Sequence, residues 1–268
     1  MVDAGVVEQA SSSSVHEPRL EILELGSGPT LLFLNAGMGL DPGSAALELL
    51  ARHARVIAPS HPGFGRSERP RALTTVEDLS YFYLDFLDER DLRDVTLVGV
   101  SFGAWIAAEI AVKSTVRLSR LVLADAVGIK VGDRQTRDIA DIFAMTESEF
   151  NAAAFANAEV GTLDYKAMSD AEVLAVAQNR ESLARFAWSP YMHNPKLRGR
   201  LHRINVATLF LWGANDRIVS ETYGRSYCAR VPNARFELIH EAGHLPQIEQ
   251  PQIFAQKILG FMGRGIYP

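Results

Sequence analysis

The apolar run Val95–Val100 ends on Ser101 and gives way at once to a helical pattern, Phe102–Lys113. A strand that is apolar on both faces needs cover on both, so it belongs inside a parallel sheet layered by helices. Glycine stands two residues before the serine and two after it, in Gly99-Val100-Ser101-Phe102-Gly103. A G-x-S-x-G turn between strand and helix is a nucleophile elbow. The bend strains the serine backbone, lifts its Oγ above the carboxyl end of the sheet, and leaves room for little but hydrogen where strand and helix meet. The five-residue pattern alone is common; its place at a strand–helix junction gives it weight.

The rest of the chain repeats that alternation. Residues 19–25, Thr30–Leu34, Arg55–Pro59, 121–124, 208–213 and 235–239 read as strands. Asp41-Pro42 reads as an N-cap with proline at the first helical position, opening a helix over 41–52. Thr74 with Glu77 reads as a capping box ahead of a helix to residue 89, and further helices are expected over 220–230 and 251–262. Residues 127–200 break the rhythm. They offer no strand and two more capping boxes, Thr146/Glu149 and Ser169/Glu172. The expected fold is therefore α/β, a mostly parallel central sheet flanked by helices, with core residues 16–126 and 201–268. A helical lid at 127–200 interrupts it, standing over the site. Residues 1–15, with their serine run 11–14, read as a flexible lead-in.

A serine hydroxyl needs a base, and the base needs an orienting acid. Of the seven histidines, His244 follows the 235–239 strand and so lies on the same rim of the sheet as Ser101. His240, four residues earlier, is its competitor. Asp216 follows the 208–213 strand on that rim, and the order Ser…Asp…His suits this architecture. Asp125, at the end of another strand, is the alternative acid. For the oxyanion, the N–H of Phe102 comes with the elbow, and the loop Asn35-Ala36-Gly37-Met38-Gly39 should supply a second donor, Gly37 or next Met38. Trp188, Met192 and Phe143 in the insertion, with Leu245 beside the histidine, are the expected substrate contacts. Arg180 and Arg185 read as solvated helix charges.

With 27 basic and 32 acidic residues the net charge is −5, and no Lys/Arg block appears. Nucleic acid and anionic membrane are thus not expected partners. A small, partly hydrophobic molecule is the expected substrate, bound by a monomer or homodimer. The single Cys228, the lack of a signal-like N-terminus and the lack of a long apolar run point to a cytoplasmic protein. No His/Cys/carboxylate set has zinc spacing, and neither Gly37-Met38-Gly39 nor Gly63-Phe64-Gly65 continues to the third glycine of a dinucleotide fingerprint. No metal or cofactor is expected.

From about Arg19 to Phe261 the chain resembles the α/β-hydrolase superfamily, in particular its lid-bearing esterase/lactonase and C–C hydrolase-like members. The matching motifs are Gly99–Gly103, Trp212–Asp216, Gly243-His244 with Glu249-Gln250-Pro251, and the loop Pro62-Gly63-Phe64-Gly65-Arg66-Ser67, which in such enzymes supports the site from below. Asn35-Ala36 departs from the usual His-Gly, and Ser60-His61 stands where an Asp often precedes the Pro-Gly-Phe-Gly loop. Leu245-Pro246 lacks the tryptophan common near the histidine of dienoate-cleaving members. The resemblance implies a serine hydrolase acting on a carboxylic ester or lactone through an acyl-enzyme. A C–C hydrolase or hydroxynitrile-lyase-type enzyme on the same three residues is the alternative, and a non-catalytic ligand-binding member is the third.

Overall fold

A computed structural model describes residues 18–263; the expected lead-in at 1–15 lies outside the described residues. The strands are β1 (Ile22–Leu25), β2 (Thr30–Leu34), β3 (Arg55–Pro59), β4 (Val95–Val100), β5 (Leu118–Ala124), β6 (Ala207–Gly213) and β7 (Ala234–Ile239). They form one sheet in the order β1-β3-β2-β4-β5-β6-β7, with β1 antiparallel to β3 and every other pair parallel. All six residues of β4 are buried, as its apolar composition demands.

The order reverses at β2. The chain steps from β2 outward to β3, then returns to place β4 on the other side of β2, with Leu34 paired to Gly99. A crevice therefore opens beyond the carboxyl ends of β2 and β4, where open α/β sheets place their ligands. The loop after β2 and the turn after β4 flank it.

The helices in the two halves of the core are α1 (Ala45–Ala51), α2 (Val76–Glu89), α3 (Phe102–Lys113), α7 (Glu221–Cys228), α8 (Pro246–Glu249) and α9 (Pro251–Phe261). Helix α3 is buried from Phe102 to Val112, Glu109 included. That buried charge is satisfied by Lys113 Nζ at 2.9 Å and Asn194 Nδ2 at 2.7 Å.

Two helix starts differ from the sequence expectation. Helix α1 starts after Ser44, whose side chain makes no capping bond, while Asp41 turns its carboxylate back on the N–H of Gly43 (2.9 Å) and makes a local turn through Pro42. Helix α2 is capped by Thr75 with Asp78, one residue later than the Thr74/Glu77 reading. Each threonine has an acid three residues on, and the box that forms leaves Val76 and Leu79 facing the core.

Between β5 and β6 the chain is helical, with α4 (Glu147–Ala154), a 3-10 turn at Ala158–Gly161, α5 (Asp170–Ala187) and α6 (Leu197–Arg200). Both capping boxes expected there form, Thr146 with Glu149 and Ser169 with Glu172.

Candidate active site

Ser101 sits between β4 and α3 with φ 52° and ψ −112°, a conformation that non-glycine residues rarely adopt. The glycines two residues away on either side make this possible. A Cβ on Gly103 would stand 2.1 Å from the carbonyl oxygen of Leu34, and one on Gly99 would stand 2.5 Å from that of Gly103. The serine N–H donates to Ala124 O at 2.8 Å, which ties the turn to the end of β5.

His244 Nε2 lies 2.7 Å from Ser101 Oγ, and its Nδ1 lies 2.8 Å from Asp216 Oδ2. Ionised, Asp216 can only accept, so the imidazole proton sits on Nδ1 and the Nε2 lone pair faces the serine hydroxyl. The other Asp216 oxygen accepts from the N–H groups of Ile218 (2.7 Å) and Val219 (3.0 Å), which fix the carboxylate plane. Ser101, Asp216 and His244 are 5%, 8% and 4% exposed. Little water reaches the file of hydrogen bonds, so its electrostatics are weakly screened.

The structure thus brings together the three side chains singled out by the sequence and leaves His240, the competing histidine, exposed at the end of β7. Asp125, the competing acid, does not bond the histidine. It is fully buried at the end of β5, where its Oδ1 accepts from Gly213 N at 2.8 Å. Burial, and then the charge of Asp216, push its pKa well above the usual carboxylate range. Among the described residues Asp125, Asp216 and His244 are the one group with ligand atoms close enough to share a metal ion. Both His244 nitrogens are already engaged, by Asp216 and Ser101, so an ion there would have to break the hydrogen-bonded file.

The loop after β2 turns tightly, Gly39 N donating to Ala36 O at 3.0 Å, with Gly37 and Met38 at the centre of the turn. The N–H of Phe102 lies in the first turn of α3 and takes no part in its intrahelical ladder. The Pro-Gly-Phe-Gly loop packs under this region through Phe64, whose ring lies 5.7 Å from that of Phe102 and 6.4 Å from that of Phe186 in α5.

One residue that supports the site is visible in the sequence only as a departure from the resemblance. His61 is completely buried, with Nε2 at 2.9 Å from the carbonyl oxygen of Asn35 and Nδ1 at 2.7 Å from Tyr83 Oη. A carbonyl only accepts, so Nε2 carries the proton and Nδ1 accepts from the tyrosine. Burial lowers the His61 pKa to about 4, which keeps the ring neutral. Asn35 in turn donates through Nδ2 to Pro59 O at 3.0 Å. The loop is therefore held by Asn35 and His61, which both stand where this chain departs from its resemblance. That pairing was the available signal.

The helical insertion grips both sides of the site. From α5, Asn179 donates to Met38 O and accepts from Gly65 N, both at 2.7 Å, while Ser182 and Gln178 donate to Gly63 O at 2.5 and 3.2 Å. At the end of α4, Ala154 O accepts the N–H of His244 at 2.7 Å. Glu249 accepts from Gly243, Ala156 and Asn157, which binds the histidine loop to the insertion.

The four expected substrate contacts separate. Leu245 is buried and, with Met38, Asn35, Phe155 and Val160, lines a cavity of about 260 Å³ beside the loop after β2. Met192 is buried within the insertion, its N–H on Ala187 O and its carbonyl accepting from Gly128 N. Phe143 packs against Trp188 and Tyr191. Trp188 is 63% exposed and lines a different, outward cleft of about 540 Å³ with Lys130, Arg134 and Tyr191. Arg180 pairs with Glu147 at 3.5 Å on the surface, as a solvated helix charge should. Among the described residues no helix is long and apolar enough to cross a membrane.

Comparison with known proteins agrees with this architecture. Residues 31–257 match the profile of the Alpha/beta hydrolase family. The 2-hydroxy-6-oxo-2,4-heptadienoate hydrolase of Pseudomonas putida is 26% identical over 89% of this chain and 91% of its own length. The dihydrolipoyllysine-residue acetyltransferase component of the acetoin cleaving system of Cupriavidus necator is 25% identical over 94% of this chain and 69% of its own. Among solved structures, a thermophilic esterase from Thermogutta terrifontis superposes with a TM-score of 0.76 at 22% identity, over 97% of this chain and 99% of that one.

Proposed function

The chain belongs to the alpha/beta hydrolase family, and from that premise we propose that it is a serine hydrolase cleaving a carboxylic ester or lactone. The observation that carries the reading is the unbroken file Asp216–His244–Ser101, with contacts of 2.8 and 2.7 Å. Ser101 Oγ attacks the carbonyl carbon as His244 Nε2 takes its proton, and Asp216 stabilises the imidazolium that forms. The N–H groups of Phe102 and Gly37 receive the oxyanion, with Met38 next in the same turn. His244 returns the proton to the leaving alcohol, or to the ring oxygen of an opened lactone. A water activated by the same histidine then releases the acid from Ser101.

Residues 127–200 serve as the lid, since α4 and α5 hold the histidine loop and the loop after β2. The cavity lined by Leu245, Met38 and Val160 suits a short, partly hydrophobic acyl or alcohol group. Turnover of p-nitrophenyl esters and lactones tests this reading: wild-type protein should release a burst of p-nitrophenol that Ser101→Ala abolishes. A burst that persists in the variant moves the nucleophile elsewhere.

A second reading changes the bond. The similarity to a heptadienoate hydrolase favours C–C cleavage on the same residues, whereas Leu245-Pro246 after the histidine favours the ester. Faster turnover of a vinylogous 1,5-diketone than of any ester or lactone would decide for C–C cleavage.

A further inference from the structure

We propose that Asp125 is held as a neutral carboxylic acid that donates its proton to the Asp216 carboxylate, making it a positioning residue for the acid that braces His244. Asp125 is 0% exposed, and its Oδ1 accepts from Gly213 N at 2.8 Å. Its Oδ2 is buried and has no donor among the described residues. A bare carboxylate oxygen sealed from water is costly, and here a second carboxylate stands beside it. One oxygen of Asp125, one of Asp216 and a ring nitrogen of His244 all lie within 4.8 Å of one another.

The backbone leaves Asp125 little freedom to turn away. Its φ is +43°, and its N–H is fixed on Leu211 O at 3.0 Å. Besides Asp216, the charge that bears on it is Glu249, also negative, and both raise its pKa further. Two adjacent carboxylates in a dry site share a proton. Asp216 already receives two main-chain donors on Oδ1 and the imidazole N–H on Oδ2, so the proton belongs to Asp125. Donated to Asp216, it satisfies Oδ2 and adds a further restraint on the brace. It also keeps a second negative charge from the imidazole.

The location of the proton is independent of the hydrolase reading; its effect on turnover rests on that reading. Infrared spectra of aspartate-13C-labelled protein at pH 8, in H2O and D2O, should show an exchange-sensitive protonated-carboxyl C=O band that Asp125→Asn removes. A wild-type spectrum with no such band overturns the proposal, and this measurement needs no variant to fold. In turnover, Asp125→Asn keeps an acceptor for Gly213 and a donor for Asp216. Its kcat should fall far less than that of Asp125→Val, which loses both and should fall on the order of 100-fold through misplacement. The acid limb of the kcat/KM profile should stay in place in Asp125→Asn. A limb displaced downward by about one to three units would mean that a negative charge had been removed, and would overturn the proposal. A wild-type protein that shows the band but turns over no ester, lactone or diketone removes the hydrolase reading and leaves the proton where it is assigned.

Discussion

The main-chain N–H of His244 donates to the carbonyl oxygen of Ala154 at 2.7 Å, so the loop carrying the base is fastened to the last turn of α4. The insertion is therefore structurally tied to the histidine loop. Glu249 completes the fastening by accepting Gly243 N at 2.6 Å on one oxygen and the N–H groups of Ala156 and Asn157 on the other.

Removing that carboxylate should loosen the histidine before it unfolds the protein. Glu249→Ala is expected to cost about 1–2 kcal/mol in urea titration, since charge-assisted hydrogen bonds are lost at a partly exposed site. At a temperature where both proteins are folded, its kcat should fall about tenfold or more while ester KM moves little. An unchanged kcat would show that α4 does not hold the base in place.

The elbow tolerates no side chain at its tight contact. Because a Cβ on Gly103 would meet Leu34 O at 2.1 Å, Gly103→Ala should lose about 3 kcal/mol or more. Chemical denaturation with far-ultraviolet circular dichroism measures it. A variant as stable as wild type would mean that strand and helix are further apart than this contact.

His61 makes stability depend on acidity. In the folded protein its ring stays neutral until about pH 4, whereas an unfolded chain takes the proton near 6.5, the ordinary imidazole value. The unfolded state thus binds more protons across that window, and stability falls as pH drops from 6.5 toward 4, then levels for this group. The contribution is about 3 kcal/mol. Urea midpoints between pH 8 and 4 should fall more steeply for wild type than for His61→Asn. Parallel slopes would mean that the ring is not buried neutral against Asn35 and Tyr83.

In the proposed mechanism Asp216 contributes orientation and charge rather than bonds made to substrate. Asp216→Asn is expected to lower kcat on the order of 10⁴-fold, because an amide that donates to Nδ1 selects the wrong imidazole tautomer. Steady-state ester kinetics at saturating substrate measure this. A loss of only severalfold would pass the role of acid to Asp125.

Much of the site is legible in the sequence because each of its parts follows a strand. Ser101, Asp216 and His244 end the turns after β4, β6 and β7, and a parallel sheet brings such turns to one rim whatever lies between them. What escapes depends on side chains that meet from distant elements. His61 stands out in the sequence only as a departure from the resemblance, because its contacts come from Asn35 and Tyr83, 26 and 22 residues away. Trp188 is the reverse case. An aromatic residue in a helical insertion gives no sign of which face it occupies, and this one, a substrate contact by expectation, packs on Phe143 and opens outward. The start of α2 is ambiguous for a simpler reason, since Thr74 and Thr75 each have an acid three residues ahead. Packing of Val76 and Leu79 decides between them.

In the proposed mechanism Oγ of Ser101 becomes covalently attached to the group it attacks. Incubation with a fluorophosphonate, followed by intact-mass and peptide mass spectrometry, tests this most directly. One equivalent should attach to the peptide carrying Ser101, with no labelling in Ser101→Ala and labelling slowed strongly in His244→Ala. Stoichiometric labelling at another residue, or none under conditions where wild type hydrolyses esters, would contradict the account.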